Sequence, residues 1–119
     1  MSKTILVVDD ATIMRLMLKQ LLESNHFDVI EATDGKNAVE VYAEQRPDLV
    51  TMDITMPIMD GIAAVKEIMK IDPQAKIIMC SAMGQGNLVK EAIIAGARNF
   101  LVKPLQPERV LAAIKQILG

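Results

Sequence analysis

Aromatic residues are nearly absent: two phenylalanines, one tyrosine and no tryptophan in 119 residues. The core must therefore be aliphatic and methionine-rich. With 51% of residues hydrophobic, a single domain over residues 1–119 is expected, burying roughly two thirds of its unfolded surface. One cysteine, Cys80, leaves no disulfide framework and no CxxC pair. One histidine, His26, lies in the polar turn Glu23-Ser24-Asn25-His26 with no second histidine or partner cysteine, which argues against zinc. Positive charge is not in excess, with 13 Lys and Arg against 15 Asp and Glu. No basic stripe is present to neutralise phosphates, so nucleic acid is not an expected partner. No apolar run approaches a membrane span, and the stretch ahead of Asp9 is too short for a signal peptide. A soluble, monomeric, cytoplasmic protein is the expectation.

What the chain does have is a rhythm of short apolar runs with meaningful ends. Ile5–Val8 runs into Asp9 and Asp10, Leu49–Met52 into Asp53, Ile77–Cys80 into Ser81, and Phe100–Val102 into Lys103. Each has the length of a buried parallel strand. Phe27–Glu31 reads as a further strand, whose internal Asp28 suits an edge position.

Helical patterns lie between the runs. The first extends from about Thr12 to Glu23, with Met14, Met17, Leu18, Leu21 and Leu22 apolar. The second, capped by Asp34, carries Ala38, Val41 and Tyr42 and stops before Pro47. Asp60-Gly61 opens a third, bearing Ile62, Val65, Ile68 and Met69, and Asp72-Pro73 ends it. The fourth carries Leu88, Val89, Ala92 and Ile93 and closes at Gly96. Pro107 suits the first turn of the fifth, which shows Val110, Ile114 and Ile117 on one face. Met52, Met69 and Met79 read as core filling, whereas Met14, Met17, Met56, Met59 and Met83 fall near loops or helix edges. Five strand–helix units imply an α/β fold, a doubly wound five-stranded parallel sheet with five helices. The pattern does not fix strand order, but 2-1-3-4-5 would set strands one and three side by side.

In an open parallel sheet, ligands sit just outside the carboxyl ends of the strands. Asp9, Asp10, Asp53, Ser81 and Lys103 would then share one crevice although far apart in sequence. Carboxylates this close repel one another, so one must protonate or a cation must bind; Mg²⁺, which takes carboxylates, water and phosphate oxygens, is the natural cation. Asp53 could be a ligand or a nucleophile that attacks phosphorus to form an acyl phosphate. Lys103 would offset charge on the phosphoryl oxygens, Ser81 could donate to them, and Ala82 leaves room for their approach. Taken singly, Asp9 or Asp10 could be a helix cap, Asp53 a strand-end residue and Lys103 a solvated charge. Their joint placement at four strand ends is what points to a site.

The pair Asp9-Asp10, the segment MDITMPIMDG around Asp53, Ser81-Ala82 and Lys103-Pro104 resemble the receiver domain of two-component response regulators, across essentially the whole chain. The segments MDITMP, CSAMGQ and VKP are most similar to stand-alone chemotaxis receivers of the CheY type. The resemblance implies a flavodoxin-like, CheY-like sheet of order 2-1-3-4-5. It also implies Asp53 as phosphoacceptor, with Asp10, Asp53 and the backbone carbonyl of Thr55 around Mg²⁺ and Asp9 acting largely through water. Ser81 and Lys103 would contact the phosphoryl group, Ser81 and Phe100 would form the switch, and Lys103-Pro104 would be a cis peptide. No other cofactor is implied.

The donor would be a phosphohistidine on a sensor histidine kinase. Output would pass through a protein-binding face to a flagellar motor switch protein or another protein target. Such a chain is not an enzyme in the usual sense: it catalyses its own phosphorylation and slow dephosphorylation. Thr55 and Met83 occupy positions that tune the latter, and neither offers an acid or amide to orient water, so a long-lived phosphoryl form is expected.

One alternative within the family is a phosphorelay intermediate that passes its phosphoryl group to a histidine phosphotransfer protein. A haloacid-dehalogenase-type phosphatase also uses an aspartate nucleophile and Mg²⁺, but the general acid two residues on is here Thr55 and there is no room for a cap. A flavodoxin-like electron carrier would place a flavin phosphate against Asp9 and Asp10. A binding module that had lost phosphate chemistry would not need all of these residues.

Overall fold

Strand and helix alternate five times in the computed structural model, which describes residues 2–84 and 86–119. Gln85, the last residue of CSAMGQ, lies outside the described residues. The elements are β1 (Thr4–Val8), α1 (Thr12–Ser24), β2 (Asp28–Ala32), α2 (Gly35–Gln45), β3 (Leu49–Asp53), α3 (Gly61–Ile71), β4 (Ile77–Ser81), α4 (Gly86–Ala95), β5 (Asn99–Val102) and α5 (Pro107–Leu118). All strand pairs are parallel, in the order β2-β1-β3-β4-β5. The doubly wound fold and the strand order are as expected.

Local chemistry explains most boundaries. Asp34 accepts from the Asn37 amide at 2.8 Å, and Asn37 Oδ1 accepts in return from the Thr33 amide; Asp60 accepts from the Ala63 amide at 2.8 Å. These two aspartates hold otherwise orphaned helix-end donors. Pro107 opens α5 where no amide is needed. Past α4, Gly96 takes a φ of +128°. A β-carbon there would also press on the Met69 side chain at 2.7 Å, so both conformation and space call for glycine.

The second strand begins one residue later than its apolar run suggests. The Phe27 amide is bound to the Leu22 carbonyl at the end of α1, and the ladder opens only with Asp28 donating to Lys3. Asp28 is exposed on the edge strand, as its charge suggested.

Strand side chains alternate between two layers. Leu6, Val8, Val50, Met52, Ile77 and Met79 face Ala38, Tyr42, Ala64, Val65, Ile68 and Ala92 on α2, α3 and α4. Ile5, Val7, Leu49, Ile78 and Cys80 face Leu18, Leu22, Val110, Ala113 and Ile114 on α1 and α5. Burying each large aliphatic chain contributes roughly 1.5–3 kcal/mol.

The α4 face differs from its sequence pattern. Only Ala92 is buried on this helix, Leu88 and Val89 are half-buried, and Ile93 and Ile94 face solvent. A helix seated mainly through Ala92, with Ala95 at its edge, presents a narrow face, and the residues one and two positions after Ala92 turn away from it. Met52 and Met79 are fully buried, and Met69, Met56 and Met59 pack against the core from its edge, whereas Met17 and Met83 are exposed.

At the lower end of the sheet, the Tyr42 hydroxyl donates to Asp72 Oδ2 at 2.7 Å and ties α2 to the residue capping α3. The Gln74 amide donates to Asp72 Oδ1 at 2.9 Å. Arg46 stands 3.7 Å from Asp72 Oδ2 and over the Tyr42 ring. No helix among the described residues is long and apolar enough to cross a membrane.

Candidate functional site

The register of the sheet brings the strand ends level. Val8 pairs with Met52, Asp53 with Cys80, and Ser81 with Val102, so Asp9, Asp53, Ser81 and Lys103 emerge along one rim. Asp10 joins them, and one carboxylate oxygen from each of Asp9, Asp10 and Asp53 lies within 4.8 Å of the others. Asp9 and Asp53 are 3% and 6% exposed, whereas Asp10 is open to solvent.

A single ammonium serves the two buried acids. Lys103 Nζ donates to Asp9 Oδ2 at 2.8 Å and to Asp53 Oδ1 at 3.3 Å. Burial raises the pKa of the Asp53 carboxyl, the charges of Asp9 and Asp10 add to the rise, and Lys103 opposes it. Burial alone would lower the Lys103 pKa, but its hydrogen bond to Asp9 and the charges of Asp53 and Asp9 hold it above the ordinary value. The lysine therefore stays charged while the carboxylates compete for it.

Each acid is held by its own loop. Asp9 Oδ1 accepts from the Ala11 amide at 2.9 Å, and the Asp9 carbonyl accepts from Arg15 Nη1 at 2.7 Å. Below Asp53, the Gly61 amide donates to the Ile54 carbonyl at 2.8 Å. A β-carbon at residue 61 would overlap the carbonyl oxygen of Asp53, so α3 can start this close to the acid only from glycine. The loop between them holds the exposed Thr55 and a tight turn in which the Met59 amide donates to the Pro57 carbonyl. At its tip Ile58 adopts a φ of +71° and is 80% exposed. A β-branched residue in that region carries strain of about 1–3 kcal/mol.

Ser81 is buried, and its Oγ accepts from the Met83 amide at 3.1 Å. The Lys103 amide donates to the Ser81 carbonyl, and the Lys103–Pro104 peptide is cis. Phe100 pairs with Met79 across the ladder and is half-buried against the α2–α4 layer rather than lying free in solvent. Beneath the acids, the buried Thr51 hydroxyl has no hydrogen-bond partner among the described residues, and burial pushes the Cys80 thiol up to about 12.

Of the five residues read from the strand ends, Asp9, Asp10, Asp53 and Lys103 thus meet in one cluster, and Ser81 emerges on the same rim with its hydroxyl on the Met83 amide. Two things were not visible in the sequence: that Asp9 is the buried member of the acid pair, and that Arg15 is tied to its carbonyl. The only signal for Arg15 is a cation one helical turn inside α1, which does not say where its side chain goes.

The profile of the response regulator receiver domain matches residues 5–115. The chain belongs to that family. The chemotaxis protein CheY of Bacillus subtilis is 60% identical over 120 residues, with 100% of both chains covered. That of Thermotoga maritima is 59% identical over 118 residues, covering 98% of each. Among solved structures, the CheX-CheY-BeF3-Mg²⁺ complex from Borrelia burgdorferi superposes with a TM-score of 0.95 at 41% identity, covering 98% of this chain and 90% of that one. The domain is thus a receiver of the kind found in chemotaxis response regulators, as its motifs suggested. The crevice is the acidic pocket of a two-component signalling protein.

Proposed function

We propose that this receiver is a phosphorylation-activated switch in which Asp53 accepts a phosphoryl group from the phosphohistidine of a sensor histidine kinase. The observation that carries this reading is the charge balance at Asp53. Among the described residues, three carboxylates converge and one ammonium reaches them, which leaves two negative charges uncompensated there. That surplus, with an all-oxygen donor set, fits a hard divalent ion such as Mg²⁺. Asp9, Asp10, Asp53 and the backbone carbonyl of Thr55 would hold it. When bound, the ion supplies positive charge to the phosphoryl oxygens.

The chain's own residues would do the rest. An oxygen of Asp53 attacks phosphorus, the phosphorus–nitrogen bond to the donor imidazole breaks, and the acyl phosphate forms. Lys103, already 3.3 Å from Asp53 Oδ1, follows the new negative charge, and the Ser81 hydroxyl donates to a phosphoryl oxygen. Movement of Ser81 then lets Phe100 pack deeper and reshapes a protein-binding face for a flagellar motor switch protein or another target. With no acid or amide at Thr55 or Met83 to orient water, self-dephosphorylation is slow.

Acetyl phosphate with Mg²⁺ tests the reading. The wild-type protein should gain the mass of one phosphoryl group, and Asp53→Asn should gain none. Unchanged phosphorylation of that variant would move the nucleophile elsewhere.

A further inference from the structure

Arg15 has no direct part in the chemistry above, yet its guanidinium binds the backbone of the loop that carries two of the acids. Its guanidinium donates from Nη1 to the Asp9 carbonyl at 2.7 Å, from Nε to Glu31 Oε1 at 3.2 Å, and from Nη2 toward Thr12 Oγ1 at 3.4 Å. The side chain is only 14% exposed. Glu31 is a firm anchor, because it lies within β2 and pairs in register with Val7 of β1. The bound carbonyl belongs to the peptide joining Asp9 to Asp10, so its orientation sets the direction in which the Asp10 carboxylate leaves the chain. Both flanks of that peptide are tied, the Asp9 amide to the Ala32 carbonyl and the Asp9 carboxylate to Lys103 and the Ala11 amide, but among the described residues only Arg15 binds the carbonyl itself, and the N-cap of α1, Ala11, makes no side-chain cap.

We infer that Arg15, braced by Glu31, is a positioning residue that holds the Asp9–Asp10 peptide so that the acid cluster is ready for a divalent cation. The inference rests on the metal reading given above. Charge and position predict opposite outcomes, which makes it testable. As a charge alone, a guanidinium beside a cation site repels the cation, and removing it would tighten binding. As a brace, removing it lets the Asp10 carboxylate wander and binding weakens, by about tenfold where an outer partner of a metal ligand is lost. Lysine cannot substitute, because one ammonium lacks the rigid fork that spans a carbonyl and a carboxylate together.

The experiment titrates the intact, metal-free protein with Mg²⁺ by calorimetry, and with Mn²⁺ by electron paramagnetic resonance, without a phosphodonor. Amide exchange at Ala11, followed by NMR without metal, reports the loop independently of any ligand. Arg15→Gln and Arg15→Lys should each bind about tenfold more weakly than wild type, and Ala11 should exchange faster in both while Val7 and Val50 stay protected. The milder surface variant Glu31→Gln should loosen Ala11 in the same direction, and Arg15→Gln combined with Glu31→Gln should bind no more weakly than Arg15→Gln alone, as expected of residues acting as one unit. Wild-type or tighter affinity in Arg15→Gln, or full rescue by Arg15→Lys, overturns the inference. Asp10→Ala is the separate control: if it binds Mg²⁺ as wild type does, the metal reading itself falls, whatever Arg15 does.

Discussion

Two polar clusters sit at opposite ends of the same sheet and have been built on opposite terms. At the lower end one carboxylate, Asp72, receives the Tyr42 hydroxyl, the Gln74 amide and the Arg46 guanidinium; the hydrogen bond from Tyr42, then that from Gln74, lower its pKa. At the upper end Asp9 and Asp53 divide one ammonium between them, with Asp10 close by, and the Asp53 pKa is raised. Donors outnumber the acid below, and acids outnumber the donor above. The first arrangement serves the fold. The second keeps unmet charge in a place where a ligand can meet it, at a cost to the unliganded protein.

The contrast can be broken from either side. Tyr42→Phe removes a hydrogen bond to a charged carboxylate and should cost about 1–2 kcal/mol in a urea titration, while leaving the rate of phosphorylation by acetyl phosphate unchanged. Asp53→Asn should do the reverse to stability. It relieves repulsion but also gives up the attraction of Lys103, so the metal-free protein should gain of order 1 kcal/mol at neutral pH.

The two acids should also tilt stability against pH in opposite directions. Folded Asp53 holds its proton to higher pH than the unfolded chain does, so its contribution makes stability fall as pH rises from the ordinary carboxylate range, near ~4, to the raised value. Asp72, whose pKa is lowered, contributes stability that is complete above the ordinary range and is lost as pH falls through its folded value. Metal-free melts across pH should show the first slope missing in Asp53→Asn and the second missing in Asp72→Asn. The smallest effect is expected one layer below the crevice: Thr51→Val removes a buried hydroxyl that has no partner among the described residues and should stabilise by up to about 1 kcal/mol.

The parts of this molecule that were legible in its sequence are those written as local contrasts. An apolar run ending on Asp53 or Lys103 shows both the strand and its exit, and Asp34 and Asp60 mark helix starts because a cap acts on an amide three residues away. What was not legible depends on distant partners. Ile93 looks like core until α4 is found to bury Ala92 fully and to leave Ile93 facing solvent. Phe27 looks like strand until its amide is found bound to Leu22. Asp9 and Asp10 are the same residue type side by side, and only the approach of Lys103, from the far end of the sheet, makes one of them the buried acid. Arg15 contacts the site through a backbone carbonyl, which no residue pattern records.

Gly61 brings no functional group to the crevice, yet its missing side chain is what lets α3 begin against the Asp53 carbonyl. In a survey of all single substitutions, this position should therefore tolerate as little as the acids do. The lost variants would differ in kind, because a residue 61 with any side chain displaces the backbone that carries the nucleophile, whereas Asp53→Asn leaves that backbone in place. A map of tolerance would show one dark patch around the crevice, and within it the glycine would be recognisable by failing for alanine as badly as for tryptophan.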